Sequence, residues 1–102
     1  MKLWRLTRAP FMALDGKGAE LHGARYAPPG HPVVSLASEA GLAVLVAMRY
    51  HLPDLSAAPG DLVLGWTEVD CLPERVPDPD ELTIRAFVGE WLETRRSLIC
   101  AI

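Results

Sequence analysis

Cysteine is scarce in this sequence: Cys71 and Cys100 are its two copies, and they form neither a CxxC pair nor a staple framework. Their scarcity argues for reduced thiols in a cytoplasmic protein. Long apolar runs are also missing. The longest, Gly41 to Met48, is far short of the roughly 18 residues a membrane-spanning helix needs. Lys2, Arg5 and Arg8 imitate the charged start of a signal peptide, yet only Phe11-Met12-Ala13-Leu14 follow them, too few for its apolar stretch. Basic excess is absent as well. The net charge is −3 and only Arg95 and Arg96 are adjacent, which excludes a direct nucleic-acid-binding surface.

Metal signatures are lacking too. His22, His31 and His51 show no HxxxH or HExxH spacing, so no metal site is expected. Asp15-Gly16-Lys17-Gly18 has neither the length nor the strand-to-helix setting of a phosphate-binding loop and reads as a flexible turn. Either cysteine would need a neighbouring base to act as a nucleophile, and none can be placed from the sequence.

What remains is an ordinary globular composition, half apolar and 23% charged. Lys2 to Thr7 reads as a first strand. Ala9 to Gly30 is rich in Gly and Pro and reads as one long irregular stretch, the kind of segment that carries sites. Val33 to Leu36 reads as a short strand. Glu39 to Tyr50 reads as a helix capped by Ser38, apolar on nearly every side and therefore expected to be buried on most faces. Leu52 to Gly60 reads as a linker and Leu62 to Val69 as a strand, with Trp66 filling core.

The clearest local pattern is Ile84, Phe87, Val88, Trp91 and Leu92, which form one apolar helical stripe. Asp80 and Glu81 at its start and Arg95-Arg96 at its end suit the helix dipole, and Glu81 and Arg85 form an i, i+4 pair. Leu98 to Ile102 reads as a last strand with an unpaired apolar edge, which makes a homo-oligomer plausible. The order of elements predicts an α+β fold with mixed sheets and flanking helices, in a single domain of residues 1–102 shortened within its late strand.

Four stretches together resemble the RES family. They are Leu3-Trp4-Arg5-Leu6; His22-Gly23-Ala24-Arg25-Tyr26-Ala27-Pro28-Pro29-Gly30-His31-Pro32-Val33-Val34; Leu42-Ala43-Val44-Leu45 with His51-Leu52; and Gly89-Glu90-Trp91-Leu92. The resemblance implies a fold similar to ADP-ribosyltransferases. It implies a toxin of a toxin–antitoxin system that binds NAD and cleaves its nicotinamide bond, with degradation or ADP-ribosyl transfer as the result. It also implies an Xre-type antitoxin as partner.

Breaking that bond leaves an oxocarbenium-like ribose. Such a site needs a cation for the diphosphate, a wall for nicotinamide and an anion for the ribose. Arg25 suits the diphosphate, since a guanidinium presents a fork of donors to phosphate oxygens. On the residues alone it reads as well as a surface cation paired with a carboxylate. Tyr26 reads as a stacking ring or as core, and Arg5 as a second phosphate contact or an ion pair. Ser35 stands where the family has a tyrosine and keeps only the hydroxyl. Val46, or Ala47 one position on, stands in the slot of the family's glutamate, and the family's serine lies beyond residue 102. Glu39, Glu68 and Asp70 are the substitute acids at hand. No catalytic residue is assigned, and a non-catalytic binding module is the competing reading.

Overall fold

The computed structural model describes the backbone of residues 1–102 and every side chain except those of Tyr50 and Ala57. The chain forms two compact units, Met1–Leu14 with Ser35–Asp70 and Asp15–Val34 with Cys71–Ile102. The fold is α+β, with helices beside one antiparallel and one parallel strand pair.

The first unit is built on β1 (Lys2–Arg8) and β2 (Leu62–Glu68), antiparallel in a register that sets Lys2 opposite Glu68 and Arg8 opposite Leu62. Both ends of this ladder are fastened. The Met1 ammonium donates to the Val69 carbonyl at 2.6 Å, and the Arg8 guanidinium grips Asp61 through Nε at 3.0 Å and Nη2 at 3.1 Å. A 3-10 turn, Ala9–Phe11, follows β1. Val33 to Leu36 is not a strand. The sheet-like pairing comes just after it, where Ala37 and Trp4 exchange two backbone hydrogen bonds of 2.8 Å. One bridged pair does not make a ladder.

The helix that packs on β1 spans Ala40–Met48, and 3-10 turns at Arg49–His51 and Leu55–Ala57 follow it through the expected linker. Its cap position is Glu39 and not Ser38, and no side chain closes the cap. The expectation of burial fails here. Ala43 is buried, while Leu42, Val44, Leu45 and Val46 are exposed. Small residues allow the helix to sit close to β1 on one side, and the larger ones point elsewhere. Trp66 does not fill core either: it is 56% exposed and the Lys2 ammonium lies 4.4 Å from its ring centroid. The cation covers a ring that the sheet leaves open.

The second unit contains a helix the sequence reading missed, Lys17–His22, inside the supposedly irregular stretch. It also contains β3 (Glu74–Arg75) and β4 (Cys100–Ala101), paired in parallel, so the late apolar run is hydrogen-bonded along one edge. Numbered in chain order, the helices are α1 (Lys17–His22), α2 (Ala40–Met48) and α3 (Glu81–Thr94).

α3 is as expected from its pattern. Asp80 caps it, its carboxylate accepting from the Thr83 amide at 3.1 Å, and Arg85 donates to Glu81 at 3.2 Å. Ile84, Val88 and Leu92 are buried from this helix and join Ala27 in the core, with Tyr26, Val33, Val76, Trp91 and Cys100 packed around them. Arg95 ends the helix in the left-handed region at φ 51°. Arg96 then pairs with Glu74 at 2.7 Å and Glu90 at 2.8 Å, and the Ser97 hydroxyl donates to Glu74 at 2.7 Å. Trp91 Nε1 donates to the Ser97 carbonyl at 3.0 Å. Together these bonds tie the α3 terminus to β3.

Candidate functional site

Arg25 and Tyr26 form the tip of a tight turn in the second unit. Its base is closed by the Ala24 amide donating to the Ala27 carbonyl at 2.8 Å and the Ala27 amide donating back at 3.2 Å. Ala27 is buried in the core, so the turn is anchored from beneath. Upstream, Gly23 has φ 79°, and a Cβ there would stand 3.1 Å from the Ala27 carbonyl oxygen. Only glycine enters the turn this way without strain. Downstream, the Gly30 amide donates to the Glu20 carbonyl at 2.9 Å, which returns the chain onto α1. The tip is therefore held by backbone, and its two side chains are free to differ in environment.

They do differ. Arg25 is exposed, with its guanidinium 4.9 Å from the centroid of the Tyr26 ring. No carboxylate pairs with it among the described residues, so the ion-pair reading is not the one seen. Tyr26 is half-buried against the core and forms one wall of a cleft of about 370 Å3. Val76, Pro77, Asp78, Pro79, Ile84 and Ile102 line the rest. That volume falls in the range of roughly 300–1,000 Å3 typical of small-molecule sites. The walls are mainly apolar, and Asp78 supplies a carboxylate that also accepts from the Asp80 amide at 2.9 Å.

The sequence reading missed this lining. Its one local signal was the rigid Val76-Pro77-Asp78-Pro79-Asp80 run. Nothing short of the tertiary fold sets that run beside Tyr26.

Arg5 and Ser35 belong to the first unit. Arg5 is half-buried on β1, without an ion pair among the described residues. It lines a cavity of about 100 Å3 with Leu3, Met12, Leu14, Leu36, Gly65, Trp66 and Thr67. Ser35 is exposed in the irregular segment next to Leu36. The substitute acids Glu39, Glu68 and Asp70 lie in this unit as well, and Glu68 is 3.8 Å from the Met1 ammonium. Val46 is exposed on α2.

Cys100 is not set up as a nucleophile. Burial, with Glu74 adding to it, pushes the Cys100 thiol up from its ordinary value and keeps it protonated. Among the described residues no cluster of His, Cys, Asp or Glu could hold a metal ion. None of the helices there is long and apolar enough to cross a membrane.

A protein-family model described as RES domain matches residues 2–97 of this chain. The chain belongs to the RES family. It is also 32% identical, over 110 aligned positions, to the protein named Toxin Res from Photorhabdus laumondii subsp. laumondii. The alignment covers 96% of this chain and 70% of that protein. The RES match takes in both Arg5 on β1 and the Arg25–Tyr26 turn.

Proposed function

We propose that this RES-family chain binds NAD, with the Arg25 guanidinium on the diphosphate and a flat ring of the dinucleotide in the cleft beside Tyr26. One observation carries the reading: a guanidinium with no carboxylate partner among the described residues is stacked on an aromatic ring that walls a cleft of ligand size. A planar fork of donors matches phosphate oxygens in pairs. The turn that carries it is closed by its own backbone, so little order has to be gained on binding. Arg5 and Ser35, which belong to the first unit, are proposed as NAD contacts on the family resemblance alone, and an alanine variant of each tests that assignment.

Binding is favoured over turnover by Val46. By the family resemblance it, or Ala47 one position on, takes the slot of the family's glutamate, and neither apolar side chain can steady a ribosyl cation. In this reading the chain is a binding module of toxin ancestry that keeps an Xre-type antitoxin as its protein partner and works in the cytoplasm. A second reading adds cleavage of the nicotinamide bond, and Asp78 favours it by bringing a carboxylate to the cleft wall. In that case water takes the ribosyl carbon while nicotinamide leaves as a neutral group, releasing ADP-ribose and a proton.

Thermal unfolding with and without millimolar NAD tests both. A ligand that binds only the folded chain raises its midpoint. The expected result is a rise for the native chain that Arg25→Ala abolishes, and chromatography of the same mixture reports free nicotinamide. No rise in the native chain overturns NAD binding. Nicotinamide release that Asp78→Asn abolishes decides for turnover.

A further inference from the structure

We propose that the cleft beside Tyr26 takes the adenosine half of the dinucleotide, and that Asp78 makes the site prefer NAD to NADP. The inference rests on the NAD-binding reading and adds which ring enters and what sets the choice of dinucleotide. Arg25 decides the ring. Its guanidinium lies 4.9 Å from the Tyr26 ring centroid, so that ring already carries one cation. The nicotinamide ring of NAD is itself a cation, and seating it on the same tyrosine would crowd two positive charges together. Adenine is flat and neutral. The remaining walls, among them Val76, Pro77, Pro79 and Ile84, are apolar. An uncharged ring enters such a cleft at a smaller desolvation cost than a charged one.

Asp78 decides between the two dinucleotides. It carries the one charged side chain among the described residues that line the cleft. Pro77 and Pro79 flank it. A proline fixes its own φ and restricts the residue before it, so the Asp78 backbone has little freedom. Asp78 Oδ1 accepts from the Asp80 amide at 2.9 Å, which leaves Oδ2 without a partner among the described residues. An acceptor held in this way suits a ribose 2′-hydroxyl, which donates to a carboxylate in a charge-assisted bond. NADP has a phosphate on that oxygen. The donor is then lost and like charge faces like charge. An arginine at the same place would accommodate the added phosphate, whereas a carboxylate rejects it. Nicotinamide then lies outside the cleft, and Asp78 serves binding, not cleavage.

Isothermal titration calorimetry with NAD, NADP, AMP and nicotinamide mononucleotide reads both parts of the inference. The two mononucleotides carry the same phosphate on different bases, so Arg25 serves them equally. AMP is expected to bind more tightly than nicotinamide mononucleotide, and NADP about 10-fold more weakly than NAD. Asp78→Asn keeps an acceptor for the Asp80 amide and removes the charge. It is expected to bring NADP within about threefold of NAD, a ratio that a merely structural role for Asp78 would not move. A native chain that binds neither dinucleotide overturns the NAD reading and this inference with it. NAD binding with nicotinamide mononucleotide ahead of AMP, with NADP as tight as NAD, or with a ratio indifferent to Asp78→Asn overturns this inference and leaves the NAD reading standing.

Discussion

Gly16 sits directly against the backbone of Val33: a Cβ built on it would stand 2.5 Å from the Val33 nitrogen and 2.7 Å from the Pro32 carbonyl carbon. Gly16 is also at φ 67°, at the cap of α1, where the Lys17 amide donates to Asp15 at 3.0 Å. The supposed flexible turn is thus a fixed junction between α1 and the segment that follows the Arg25 turn. Gly16→Ala is expected to cost about 1–3 kcal/mol, from the left-handed backbone and the forced shift of Pro32–Val33. Gly18→Ala is the control. It lies within α1 with open space around it, so up to about 1 kcal/mol of stabilisation is expected. Urea denaturation of both variants reads the contrast, and a neutral Gly16→Ala would refute the close approach.

The core of the second unit is small, and a few side chains carry it. Ile84 is its most enclosed member, on the same α3 turn as the exposed Leu82. Ile84→Ala removes buried methyl groups and leaves a cavity, so about 2–4 kcal/mol of stability should be lost. Leu82→Ala should change stability by no more than about 0.5 kcal/mol. A shifted urea midpoint with an unchanged slope identifies the loss as stability alone.

The Arg8–Asp61 pair fixes the direction of one pH effect. Hydrogen bonds from the guanidinium hold the Asp61 carboxyl below the usual carboxylate range. A depressed native value means that the contribution is fully present above the ordinary value of about 3.9 and is lost as pH falls through the native one. Wild type is therefore expected to exceed Asp61→Asn by a constant margin above about pH 5, with the margin closing in stronger acid. Thermal midpoints from pH 2 to 7 check this. A margin that widens in acid contradicts the geometry of the pair.

Tyr26 separates ring from hydroxyl at the proposed NAD site. Its ring supports the Arg25 guanidinium and walls the cleft. Tyr26→Phe keeps both features and is expected to bind NAD within about twofold of the native chain. Tyr26→Leu removes the aromatic face and should weaken binding roughly 3- to 10-fold, the worth of one aromatic contact. Isothermal titration calorimetry gives both affinities. Equal affinities for the two variants would show that the ring takes no part.

Some of this molecule was legible before any coordinates. α3 was read correctly because its signals are local: one stripe at helical spacing, acidic residues at its start, and an acid–base pair one turn apart. The α+β class followed from the order of the elements, and the family from four short stretches in sequence. The burial of α2 was misread because a helix apolar on every side does not state which side is covered. α1 was missed because two glycines, Gly16 and Gly18, resemble a loop until Gly16 is seen packed against Val33.

The sequence alone determined the elements whose causes lie within a turn or two of chain: β1, β2, α3 and the tight Arg25–Tyr26 turn between its glycines. Tertiary structure decided the rest. It brought Pro77-Asp78-Pro79 beside Tyr26 from some fifty positions away, paired β3 with β4, and left Leu42, Leu45 and Val46 uncovered. Contacts between distant positions depend on which surfaces exclude water together, and a local pattern carries no record of that choice.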